Sequence, residues 1–273
     1  MGTLIAEAWS VGVIRHALFG MLIAGGTLSL LGVVIVALHL SVIRFTLMHV
    51  GLFGAAVGIA LGSGATIGAF TAVLIASCIM GYLSRQNVMS TSSISGLFMT
   101  GSLAGAFLLL AGTGVPAMQV FDIFAGNILM LSRTDLVLTA ITGTIVVLVF
   151  IVAYREIQLV LFNRELAILL GVPVEAIMMA LFLLLGLGIA TALRLVGALL
   201  VDAVILLPGI AALRLARSFG SALLLSSLFG IISTAGGFFI ALRFNLPVGA
   251  SAAMTATCLL SCVLLIGKLI QPS

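Results

Sequence analysis

RLVGALLVDAVILLPGIAALRLAR, residues 194–217, decides how the rest of the chain is read. Nineteen residues lie between Arg194 and Arg214, and Asp202 is the only charge among them. As a helix rising about 1.5 Å per residue they span roughly 28 Å, the thickness of a bilayer core. Pro208 lacks an N–H and its ring crowds the preceding turn, which predicts a bend or break there. A carboxyl inside a membrane span points to function, because lipid penalises a charge that lines no cavity or pathway.

The whole chain shares this apolar character. Of its 273 residues 63% are hydrophobic and 7% charged, and mean hydropathy is +1.45. Soluble domains carry about 25% charged residues, so a soluble fold could not hide this surface. The apolar runs are continuous rather than alternating, which excludes a β-barrel pattern and predicts an all-α polytopic membrane protein. The net charge of +4 comes from scattered basic residues that mostly flank apolar runs. That is a membrane-topology pattern and not a nucleic-acid footprint. No cleavable signal peptide is expected, because Glu7, Arg15 and His16 interrupt the first apolar stretch.

A leading amphipathic segment, residues 1–17, carries Trp9 at an interfacial position. Spans are then predicted at 18–38, 45–62, 66–83, 97–113, 136–153, 176–193, 195–213, 220–241 and 248–267, giving eight or nine helices in one domain, 1–273. Alternating these spans puts Arg85, Arg155, Arg164, Arg214, Arg217 and Lys268 on one side, assigned to the cytoplasm. The opposite side receives Asp122, Arg133, Asp135, Arg194 and Arg243, so the bias is incomplete. Small residues recur at a spacing of four: Gly54, Gly58 and Gly62, then Gly64 and Gly68, then Gly101 and Gly105. Such stripes let helix backbones approach closely. Cys78, Cys258 and Cys262 sit in apolar runs and read as small packing residues, although Cys258 and Cys262 share a helix face.

Few residues carry chemistry. Gly267–Lys268 lacks the upstream glycine and following hydroxyl of a phosphate loop, so any driving ATP binds another chain. Neither HExxH nor GxSxG occurs. The link 154–175, YREIQLVLFNRELAILLGVPVE, is the longest charged segment and is amphipathic. It predicts a short helix stopped by Gly171 and Pro173, able to dock in a partner's groove or to lie on the membrane surface.

In this link NRELAILLGVP resembles the cytoplasmic coupling segment of the ABC-3 family of permeases, the membrane subunits of ATP-driven zinc, manganese and iron importers. Gly197, Leu199, Leu200, Pro208, Ala212 and Arg214 match the family's pattern in the opening stretch. FAGNILMLSRTDL at 124–136 and LPVGASAA at 246–253 resemble two further blocks, in the family's order. The block from Gly32, GVVIVALHLSVIRFTLMHVGLFG, resembles a segment ending in Asp-x-x-x-His. His49 falls on that histidine, Ser41 and Thr46 also fit, and Phe45 stands where the family usually has the acid. His39 falls at a usually basic, interfacial position. Asp202 is a second departure, at a position usually small or hydroxylic.

What the resemblance implies is a type II importer permease working as a homodimer in the bacterial inner membrane. Two partner ATPases, holding ATP and Mg, would dock on 163–175, with Asn163, Arg164, Glu165, Leu166, Ala167 and Gly171 as coupling residues. A periplasmic or lipoprotein binding protein would deliver the metal ion, which is cargo and not a resident cofactor. His49 and Asp202 are the candidate pathway and metal-binding residues, with Asp202 replacing the carboxylate lost at Phe45. Other readings stay open: a metal chelate or chelator-released iron as cargo, a proton-coupled secondary transporter relaying through Asp202, or an intramembrane enzyme. The last lacks a clear second intramembrane acid.

Overall fold

The computed structural model describes residues 12–86, 90–114, 131–197 and 201–270. Trp9, Asp122, most of the 124–136 block, and Leu199 and Leu200 lie outside the described residues. Every regular element among the described residues is helical. In chain order these are α1 (Gly12–Thr27), α2 (Ser29–Ala37), α3 (Ser41–Ala60), α4 (Ala65–Arg85), α5 (Thr91–Thr113), α6 (Arg133–Val152), α7 (Tyr154–Phe162), α8 (Arg164–Leu169) and α9 (Val174–Val196). A π-helical turn, Asp202–Leu206, follows, then α10 (Leu207–Leu215), α11 (Phe219–Phe244) and α12 (Val248–Ile270).

Eight described segments are long and apolar enough to cross a membrane; α1 and α2 together supply the first, Ile14–Ala37. The expected ninth span, 195–213, is shared out differently. Leu195 and Val196 complete α9, and Gly197 takes φ 75, a left-handed conformation that ends helices readily. Only the π turn and α10 represent that span among the described residues.

The chain divides into two compact units. The first takes its described residues from Met1–Val33, Ala125–Thr144 and Leu195–Ser273; the second from Val34–Phe124 and Ile145–Arg194. Between helices in lipid there is little hydrophobic drive, so close packing and interhelical hydrogen bonds hold them. In the first unit α1 meets α11 at Gly25, where an added Cβ would lie 2.5 Å from Thr234 Oγ1 and 2.6 Å from the Gly230 carbonyl oxygen. Ser226 Oγ donates to the Ser29 carbonyl at 2.7 Å. Gly237 packs on the backbone of Ala252 in α12.

The second unit uses the glycine stripe seen in the sequence. Gly54 and Gly58 of α3 face Gly64 and Gly68 at the start of α4, leaving no room for a Cβ. Leu52, Ala55, Ala56, Ala106 and Leu110 form a buried cluster on α3 and α5. Gly105 accepts the ring of Phe53, whereas Gly101 meets nothing within 4 Å. Thr46 Oγ1 donates to the Ser95 carbonyl at 3.1 Å, tying α3 to α5. The three cysteines correct the sequence reading: all are exposed on outer helix faces rather than packed. A thiol is apolar enough to face lipid as readily as a core.

Candidate pathway residues and coupling segment

The coupling segment is built almost entirely from local signals. Asn163 leaves helical geometry at φ −153°, ψ 94°, and its Oδ1 accepts from Leu166 N–H at 2.9 Å, capping α8. Gly171 adopts φ 75 and stops the helix, with its N–H bonded to the Ile168 carbonyl at 3.0 Å. Ala167 is fully buried and anchors α8, while Arg164 and Glu165 are exposed. The opposite face is apolar and open: Leu169 is 82% exposed, with Leu166, Ile168 and Leu170 beside it. At six residues α8 is far too short to cross a membrane.

His49 lies on α3 in the second unit, half-buried, one turn beyond Phe45. Its Nδ1 is 2.7 Å from the Phe45 carbonyl oxygen. That oxygen can only accept, so Nδ1–H is the donor in this contact. A backbone bond of this kind fixes the ring's orientation. Phe45 is 43% exposed, and the Arg44 guanidinium sits over its ring at 4.2 Å from the centroid. His39, at φ 55, is an exposed residue in the α2–α3 turn.

Arg44 is a residue the sequence reading missed. With the span expected to begin at 45, this arginine reads as a boundary charge, but α3 begins at Ser41 and Arg44 is only 2% exposed. A lone arginine beside an aromatic in an otherwise apolar stretch was the available signal.

Asp202 opens the π turn in the first unit and is partly buried. The Leu207 N–H reaches back five residues to the Asp202 carbonyl, widening the turn. The expected bend or break at Pro208 takes the form of this wide turn, with the helix resuming at Leu207. Pro208 sits in the first turn of α10, where its missing N–H and fixed φ cost least, and the wide turn before it absorbs the mismatch. Gly32 packs directly on the Ile205 carbonyl and on Gly209, so a side chain at 32 would strike the wide turn. His49 and Asp202 belong to different units. Among the described residues no three His, Cys, Asp or Glu side chains group as metal ligands.

Residues 10–267 match the ABC 3 transport family. The chain is 30% identical over 250 residues to the manganese transport system membrane protein MntC of Halalkalibacterium halodurans, covering 92% of this chain and 86% of that protein. It is 26% identical over 247 residues to the chelated iron transport system membrane protein YfeD of Yersinia pestis, covering 90% and 83% of the two chains. The solved structure of PsaBC from Streptococcus pneumoniae in complex with Fab superposes with a TM-score of 0.82 at 28% identity, covering 99% of this chain and 96% of that one. With eight apolar spans and a family match over nearly its full length, this chain belongs to the ABC 3 transport family and is a multi-pass membrane protein of the bacterial plasma membrane.

Proposed function

We propose that this chain is the permease subunit of an ATP-driven importer for a divalent transition metal: zinc, manganese or iron. The single domain 1–273 forms the pathway, and 154–175 is its cytoplasmic coupling segment. The observation that carries this reading is α8, a capped six-residue helix outside the spans that presents Leu166, Ile168, Leu169 and Leu170. An amphipathic helix of this kind fits a hydrophobic groove on a partner, flanked here by Arg164 and Glu165. The partner is an ATPase that binds ATP and Mg; a second copy of this chain completes the pathway, and a binding protein supplies the cargo.

His49 and Asp202 act as pathway residues. The chain performs no covalent chemistry. ATP binding on the partner shifts the population between outward- and inward-open states, and a difference in cargo affinity between those states makes transport directional.

One observation favours a second cargo. The open face of α3 offers a guanidinium-capped phenyl ring at Phe45, where a hydrated dication would gain most from a carboxylate. A metal arriving as a chelate brings its own oxygen ligands and needs less from the permease.

The coupling assignment is tested by Leu169→Asp and Glu165→Arg in a tagged chain. Both variants should reach the membrane and lose the co-purifying ATPase. Normal ATPase recovery with both would overturn the docking site.

A further inference from the structure

We propose that Arg85 and Glu175 are positioning residues that bolt the coupling segment to α4, so that α4 and α9 move as one body when α8 is displaced. The proposal rests on the reading of α8 as the ATPase docking helix. Arg85 Nε lies 2.6 Å from Glu175 Oε2, with side chains 56% and 54% exposed. Arg85 is in the last turn of α4 and Glu175 in the first turn of α9, so each charge also complements its helix end. An ion pair this exposed adds little to overall stability. Its consequence lies in where it sits.

Inward from the pair, α4 and α9 run antiparallel in a fixed register. A Cβ added at Gly81 would lie 2.9 Å from Met179 Sδ and 3.2 Å from Phe182 Cβ. One turn further, a Cβ at Gly186 would overlap Ser77 Oγ. Each helix therefore sets a glycine against side chains of the other, an interlock that resists sliding. Outward from the pair, only Leu170–Pro173 separates α8 from α9, and this link is cross-tied. Val172 N–H bonds to the Ala167 carbonyl at 3.0 Å, Val174 N–H to Val172 at 2.8 Å and Ile177 N–H to Pro173 at 3.1 Å. A push on α8 reaches Glu175 through four stiff residues. Arg85 then delivers it to the last turn of α4.

The test uses the complete transporter, with its ATPase and binding protein, in proteoliposomes. Manganese(II) is the probe, and the readout is manganese taken up per ATP hydrolysed. Arg85→Gln and Glu175→Gln should each retain the ATPase and hydrolyse ATP, yet transfer about two- to fivefold less manganese per ATP, the leverage an exposed pair exerts on an equilibrium. The charge-reversed double variant R85E/E175R should recover most of that loss, which a purely structural role for either residue alone would not produce. Ratios unchanged in both single variants, or a reversed pair as uncoupled as they are, would overturn the proposal. If the single variants do not accumulate, the reversed pair decides alone: coupled transport upholds the clamp and uncoupled transport overturns it. Failure of all three to accumulate would make the pair a folding element and also overturn it. Failure of the docking reading looks different, since the parent complex would then lose no ATPase on alteration of α8.

Discussion

The two helices that carry an ionisable side chain into the membrane as pathway candidates are built in opposite ways. α3 is an unbroken α-helix, and His49 is oriented by its own backbone, through the Phe45 carbonyl one turn back. Asp202 sits on a π turn whose shape depends on a distant glycine, Gly32, packed against the Ile205 carbonyl. The difference teaches that one site is set locally and the other by tertiary contact. The first should tolerate changes in its neighbours, and the second should not.

Gly32→Ala should break that contrast most severely. The new methyl meets backbone rather than a flexible side chain, and overpacking of this kind costs about 1–3 kcal/mol or more. We expect a clearly lowered melting temperature in detergent and lost metal uptake. A protein as stable and active as the parent would show that the π turn is not held by this contact.

His49→Ala is next. If its imidazole meets the metal, as proposed, the loss should cost at least the roughly tenfold in metal affinity that loss of an orienting partner costs, with membrane insertion unchanged. Radioactive manganese uptake against concentration reads it directly. Asp202→Asn sharpens the same comparison. Asparagine keeps the shape and removes the charge, so a charge-dependent pathway role predicts uptake lowered about as far as with Asp202→Ala. Full activity in the asparagine variant would leave Asp202 a hydrogen-bonding residue of the π turn.

The smallest effect belongs to Gly96→Ala on α5. Nothing lies within 4 Å of the added Cβ, and alanine improves helix propensity by up to about 1 kcal/mol. Unchanged or slightly raised thermal stability is expected. A marked loss of transport would reveal a neighbour on that face.

The sequence makes legible what is local or periodic. Eight spans follow from hydropathy, and the Gly54–Gly58–Gly68 contact follows from spacing of four. Asn163 and Gly171 mark the ends of α8 through their own conformational preferences. The π turn was not legible, because a proline announces a disturbance without saying whether the helix breaks or widens. That outcome was set by packing against Gly32, far away in the chain. Arg44 is hidden for another reason: the apolar run starts at 45, while the helix already begins at Ser41 and buries the arginine in its first turn. The Arg85–Glu175 pair joins two links that look like separate loops in the sequence.

On the proposed function, this permease moves metal only when an ATPase acts on α8. The most direct measurement is manganese uptake by proteoliposomes holding the complete complex, with ATP and Mg on the ATPase side or with a pH gradient alone. Uptake is expected with ATP, its loss when the ATPase's nucleotide site is disabled or Leu169→Asp is introduced, and none from the gradient. ATP-independent uptake driven by the pH gradient would contradict the proposed function.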